Sequence, residues 1–299
     1  MSHAKANLRG IALMIAAMAG FTLTDSFIKA ASQDLPVGQL LALAGLLGGS
    51  IFALMTRAQG HAVITREFLL WPVMLRNLSE IIGTICYVTA LSKIDLSVAS
   101  AIIQATPLAV TLMAVVLLGE TVHWRRWTAI IIGFTGVLII LRPGGITFDY
   151  DMLWAVAGLF ALAMRDVATR MVPKDMPTLR VSTYGMSMLL PAGLFLMALG
   201  QTPLPMSLLN WGQVAGFVTV GVAGYWAITA AMRVGDVSVV APFRYSRIIF
   251  ALIIGGVVFG ERPDFWTLFG AAVTIAAGIY AFIRERRSQS PLPSRGQAQ

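Results

Sequence analysis

Arg244 and Arg247 stand three residues apart in FRYSRIIF (243–250), heading an apolar run that continues through ALIIGGVVFGE to Glu261. Two further arginines, Arg76 and Arg165, lie in other apolar runs, with Glu80 four residues after the first and Asp166 beside the second. Arginine does not lose its proton inside a protein. At the centre of a membrane helix it costs about 2.5–3.5 kcal/mol even on the gentler insertion scales. Each of these residues therefore needs an acid, water or an anionic ligand. A guanidinium holds a carboxylate through two parallel hydrogen bonds, so the chemistry indicated is recognition of an anion rather than bond-making. Asp25, Glu80 and Asp166 set three carboxylates against the four arginines, which leaves one positive charge in excess.

Polar groups recur on the same helical faces. Arg76, Glu80, Gly83 and Tyr87 are spaced i, i+4, i+7, i+11, with Asn77 adjoining, and Ser100, Gln104, Pro107 and Thr111 repeat that spacing. Gly221, Tyr225 and Thr229 form a third stripe, with Trp226 adjacent. Tyr225, Trp226, Phe243 and Tyr245 would supply apolar or cation–π walls. The candidate ligand-binding set is thus Arg76, Asn77, Glu80, Gln104, Arg165, Asp166, Tyr225, Trp226, Arg244, Tyr245 and Arg247. Asp25 and Glu80 are candidates for proton coupling. Plainer readings stand beside these. Arg76 with Glu80 reads equally as a self-satisfied pair, as do Asp25 with Lys29 and Asp166 with Arg170, and shallow arginines snorkel to headgroups. Glu120 and Glu261, each after a glycine at a helix end, read as cap residues.

What must position these residues is a membrane-spanning bundle. The 299 residues are 57% hydrophobic and only 12% charged, with mean hydropathy +0.78, whereas soluble domains are about one-quarter charged. Ten apolar runs are long enough to cross: about 8–30, 37–56, 68–91, 97–119, 127–141, 152–171, 179–200, 211–232, 238–259 and 266–283. At the ends of these runs and between them, fourteen Lys and Arg residues fall on the side of the N-tail, alternate loops and C-tail, and four on the other. Both termini are therefore predicted to be cytoplasmic, and the four embedded arginines fall in the cytoplasmic half. The net charge of +8 belongs to these short loops and does not indicate nucleic-acid binding. His3, His61 and His123 lie outside the apolar runs and Cys86 is the single cysteine, so no metal site, cofactor or disulfide is expected. Neither a phosphate-binding G-x-x-x-x-G-K-[ST] nor H-E-x-x-H occurs. The basic start before an apolar stretch resembles a signal peptide, but the stretch has a counterpart deep in the chain and is taken as a retained first helix.

That counterpart belongs to an internal repeat. One ungapped offset of 141 residues matches Asp25 to Asp166, Pro36 to Pro177, Gly83 to Gly224, Asp95 to Asp236, Ser97 to Ser238 and Gly119–Glu120 to Gly260–Glu261. Each half holds five helices, an odd number, so the second half is predicted to be inverted, as in secondary transporters. The predicted units are 1–141 and 142–284, followed by a disordered cytoplasmic tail at 285–299. The stretches ASAIIQATPLAVTLMAVVLLGE and VVAPFRYSRIIFALIIGGVVFGE, with small residues at Ala129, Gly136, Gly270 and Ala277 in the helices that follow, resemble the EamA-type drug/metabolite transporter superfamily. That resemblance spans about 8–284. It implies a bacterial inner-membrane carrier that is not an enzyme, works as a monomer, and moves a small zwitterionic or anionic metabolite by alternating access. Amino-acid export is the first expectation. FRYSR is similar to a branch that takes up or exchanges S-adenosylmethionine, and that is the alternative.

Overall fold

The computed structural model describes residues 3–119, 124–143, 149–173, 175–234 and 237–289. Among them every regular element is helical. The segments are rich in Ala, Leu, Ile and Met, and their apolar residues run round the whole helix rather than along one stripe. A helix of that kind is stable only where lipid or protein covers all its sides.

The first half contains α1 (His3–Ala31), α2 (Val37–Leu43) running through a π turn at Ala44–Gly48 into α3 (Gly49–Ala58), α4 (Trp71–Lys93), α5 (Leu96–Ile103), α6 (Thr106–Leu118) and α7 (Trp124–Leu141). The second contains α8 (Met152–Met171), α9 (Thr178–Ser187), α10 (Leu189–Ala198), α11 (Leu208–Val234), α12 (Val237–Val240), a 3-10 turn at Ala241–Ser246, α13 (Arg247–Val258) and α14 (Phe265–Gln289). Among the described residues, eight stretches are long and apolar enough to cross a membrane, and Trp127–Leu141 is a shorter apolar one. The 23-residue α4 is continuous, but Arg76 and Glu80 interrupt its apolar sequence.

Prolines place the breaks. The third apolar run does not start its α-helix at Phe68 as expected. Residues Arg66–Leu69 form a 3-10 turn and Leu70 is extended, with Pro72 inside the first turn of α4. The fourth run is not continuous either: Pro107 lacks an N–H, and the chain turns at Gln104 and Ala105 before α6 restarts. In the ninth, Pro242 accompanies the 3-10 turn Ala241–Ser246, which contains the positions 141 residues after Gln104 and Ala105. The two equivalent helices thus change course at equivalent points. The last helix runs to Gln289, and residues 290–299 of the expected tail lie outside the described residues.

Helix pairing follows the repeat. Its largest interfaces are α1 with α11 and α4 with α8, which are each other's images under the offset. The interfaces of α2 with α10 and α3 with α9 are likewise each other's images, whereas α7 packs on α14, its own equivalent. Between α7 and α14 the backbones nearly touch: a Cβ on Gly270 would stand 2.5 Å from the Gly136 carbonyl oxygen, and one on Gly136 would stand 2.6 Å from that of Gly270. Ala129 and Ala277 are buried alongside, and Thr274 donates to Gly133, its own repeat equivalent, at 3.2 Å. A dense apolar core joins the later part of α4 with α5, α7, α8 and α13, including Leu91, Leu96, Ile102, Ile140 and Leu159.

Candidate functional site

The polar stripe of α4 faces α8, because its opposite edge (Trp71, Met74, Leu78 and Ile82) is exposed and apolar. Arg76 donates from Nη2 to Glu80 Oε2 at 3.1 Å and from Nη1 to Asn77 Oδ1 at 3.2 Å. From α8, Arg165 donates through Nη1 to Glu80 Oε1 at 3.1 Å. Its Nε and Nη2 both reach Asp166 Oδ1, at 3.0 and 2.8 Å. Glu80 therefore joins two helices through two arginines. The Arg76 guanidinium lies over Gly185 of α9, where any Cβ would collide with it. Tyr225 of α11 and Asp166 are among the groups that act electrostatically on Arg76. Tyr225 also pairs its hydroxyl with Ser182 of α9 at 2.5 Å and packs edge-on against Phe52.

Arg247 belongs to a second, drier cluster. Its Nη2 reaches Asp25 Oδ2 on α1 at 2.5 Å and the Tyr87 hydroxyl on α4 at 3.3 Å, while Tyr87 donates to the same Asp25 oxygen at 3.0 Å. Phe21 and Tyr87 present ring faces to the guanidinium at 6.0 and 5.8 Å. Asp25 is 5% exposed. The expected pairing of Asp25 with Lys29 is thus replaced by one across helices, and Lys29 turns to Glu261 and the Ile94 carbonyl. On α8, Asp166 likewise bonds Arg165 rather than the expected Arg170.

Arg244 differs from the other three. Its residue is exposed, and among the described residues no hydrogen bond or ion pair engages its guanidinium. Asp166 and Arg165 are the nearby charges that act on it. Asp166 has a side chain 37% exposed, and both of its bonds go to Oδ1. The excess positive charge counted in the sequence is therefore Arg244; it lies within the electrostatic reach of Asp166, whose Oδ2 takes no hydrogen bond among the described residues. Gln104 is buried and its amide donates to the Arg244 carbonyl at 3.4 Å. Tyr245 leans away, with its hydroxyl over Gly278 of α14. Trp226 is 61% exposed on the stripe of Thr219 and Ala223, about 100° round the helix from Tyr225, and does not join the cluster. Among the described residues, buried polar atoms without partners remain at Asn77 Nδ2, Ser100 Oγ, Ser246 Oγ and the Nε atoms of Arg76 and Arg247.

Three features escaped the sequence reading. The polar triplet Ser182, Thr183 and Tyr184 on α9 is buried against the first half, with Thr183 and Thr56 hydroxyls 2.9 Å apart. Its signal was visible as a polar start to an apolar run. Arg180, counted as a loop charge, is buried in the first turn of α9, where it donates to the Ala62 carbonyl at 2.9 Å and to Glu67. Its equivalent Gln39 does the same at the other end, exchanging two 2.9 Å bonds with Leu204. Glu261 is indeed a cap, but of α5 in the other half: it accepts from the Leu96 and Ser97 amides at 2.6 and 3.0 Å.

The chain can be set beside known proteins. The model of the EamA-like transporter family matches residues 8–142 and again 150–283. An S-adenosylmethionine uptake transporter of Rickettsia bellii is 27% identical over 73% of this chain and 74% of its own. A pseudopaline exporter of Pseudomonas aeruginosa is 26% identical over 90% and 94%, and a riboflavin transporter of Vibrio cholerae is 28% identical over 71% and 70%. A crystal structure 21% identical in sequence covers 97% of this chain and all of its own with a TM-score of 0.62, and so shares the fold. The two family matches follow the two halves, and the chain belongs to the EamA-like transporter family as a multi-pass protein of the bacterial inner membrane.

Proposed function

We propose that this protein is a secondary carrier that moves a small metabolite with an α-amino-acid end group by alternating access, with Arg244 as the ligand's cation. The single observation behind this is the exposed Arg244, whose guanidinium has no partner among the described residues and lies within the electrostatic reach of Asp166. A carboxylate suits the first and an ammonium the second, each as a charge-assisted hydrogen bond. The unpartnered polar atoms of Asn77, Ser100 and Ser246 add capacity for a polar ligand, since buried polar groups call for partners.

In this reading the chain makes ten spans in two inverted halves, 1–141 and 142–284, with both termini cytoplasmic. The Arg244 layer then opens to the cytoplasm and the apolar core around Leu91, Ile140 and Leu159 closes the far end. Asp25 and Glu80 are the carboxylates through which a proton gradient would couple. In this state arginine and proton compete for the same oxygens.

Amino-acid export and S-adenosylmethionine uptake or exchange share this end group, because S-adenosylmethionine is itself an amino acid bearing a nucleoside. The name of the rickettsial relative favours the second. Proteoliposomes holding the purified protein should accumulate one of labelled S-adenosylmethionine or labelled amino acids saturably, and lose this with Arg244→Ala. Saturable transport that the substitution leaves intact refutes the reading.

A further inference from the structure

Glu261 follows the C-terminal end of α13, where its amide returns to the Gly255 carbonyl at 2.9 Å, a level eleven residues past Arg244 and ~16 Å along the helix at 1.5 Å per residue. Its carboxylate is 3% exposed and fully engaged. Oε1 accepts from the Leu96 amide at 2.6 Å, and Oε2 accepts from the Ser97 amide at 3.0 Å and the Ser97 hydroxyl at 2.8 Å. Lys29 Nζ stands 3.6 Å from Oε1 and lies over the Phe259 ring at 5.6 Å. One acid at the end of α13 thus ties down the start of α5 and the end of α1, and every one of its partners belongs to the other half.

A cap serving only α5 would come from α5 itself. Asp95 occupies the N-cap position and is a residue type suited to it, yet its side chain makes no cap bond. The free amides of α5 are instead given to a residue across the boundary between the halves. The same residue types recur 141 residues apart in both halves, as Lys29 with Arg170, Asp95 with Asp236, Ser97 with Ser238 and Glu120 with Glu261. Glu120 and Asp236 lie outside the described residues, so this recurrence is one of sequence. A carrier that opens at alternate ends needs the same chemistry twice.

We infer that Glu261, Ser97 and Lys29 form a releasable latch that closes the end of the pathway remote from Arg244 and must part in each transport cycle. On opening, each of these bonds is exchanged for one to water, so the closure is firm without being permanent. The inference builds on the carrier reading, but its second test below needs no substrate.

In a Cys86→Ala background that still transports, Ser97→Cys and Glu261→Cys are joined by a short, reducible bifunctional thiol reagent. Transport of labelled S-adenosylmethionine or amino acids into proteoliposomes should be lost on cross-linking and return on reduction. Undiminished transport by the cross-linked protein would make Glu261 a static cap and overturn the latch. Should the double variant not transport before cross-linking, the decisive readout is Ser100→Cys, a buried position one turn into α5, in the same background. Adding Glu261→Gln, or separately Lys29→Met, should raise its labelling by an impermeant maleimide applied from the latch side. Equal labelling with and without these substitutions overturns the inference. Failure of the Arg244 substitution to affect transport would count against the ligand site and leave the labelling result standing.

Discussion

Arg247 shares a hydrogen-bonded oxygen of Asp25 with the Tyr87 hydroxyl, while Arg244, less than one turn earlier, has no partner among the described residues. The two arginines of FRYSR therefore divide the labour: one fastens the second half to α1 and α4, and the other is left for a ligand.

Asp25→Asn tests the fastening. Breaking one side of a buried ion pair leaves the other charge uncompensated and costs about 3–5 kcal/mol. The variant should unfold at a clearly lower temperature in detergent, and Asp25→Asn combined with Arg247→Gln should recover part of the loss. Additive losses in the double variant would show that the pair does not contribute as a unit.

Gly270→Val tests the scaffold. The added side chain would strike the Gly136 carbonyl and the side chain of Ile140, and overpacking of this kind costs about 1–3 kcal/mol. Reduced thermal stability is expected, with ligand affinity of the folded fraction unchanged because the α7–α14 seam lies apart from the arginine layer. An unaltered unfolding temperature would mean that the two helices can separate at no cost.

Glu67 gives a pH-dependent clamp on the segment before α4. The Arg180 guanidinium, and then the Thr65 hydroxyl, hold its carboxyl below the usual carboxylate range. A carboxyl depressed in the folded state contributes stability that is present above its unfolded pKa and lost as pH falls through the depressed value. The clamp should therefore be intact at neutral pH and let go only in acid, below about pH 4. The protection of the Thr65 amide, whose N–H is bonded to the Tyr184 hydroxyl at 3.1 Å, should fall in that acid window relative to an unprotected amide at the same pH. Glu67→Gln should remove the pH step, and a step that survives it would assign the effect to another group.

Much of this architecture was legible because membrane helices advertise themselves through apolar length and because Asp, Pro and Glu seldom coincide by chance in one register. The breaks at Gln104 and at Ala241–Ser246 were half legible. Pro107 and Pro242 announce a disturbance, but its exact extent depends on which carbonyls neighbouring helices accept. Pairing inside the layer was harder to read. Local spacing suggested Asp25 with Lys29, whereas the structure gives Asp25 to Arg247 and Lys29 to Glu261. Sequence spacing describes one helix at a time, and a buried acid pairs with whichever cation the neighbouring helix brings closest. Trp226 was grouped with Tyr225 by adjacency, although adjacent helical residues diverge by about 100°. Arg180 and Gln39 were hard to read as clamps because each also binds backbone, the Ala62 carbonyl and the Leu204 amide and carbonyl, and a backbone group has no residue type.

Ligand affinity with and without the Arg244 side chain is the most direct test. The purified protein is titrated calorimetrically with S-adenosylmethionine and with amino acids, then the titration is repeated for Arg244→Ala and Arg244→Lys. A charged hydrogen bond is worth about 1.5–3 kcal/mol, so the alanine variant should bind at least about tenfold more weakly. Lysine should restore only part of this, since it lacks the two-pronged geometry, and the ligand-free unfolding temperature should not change. A dissociation constant unaltered by Arg244→Ala in the folded protein would contradict the assignment of Arg244 as the ligand's cation.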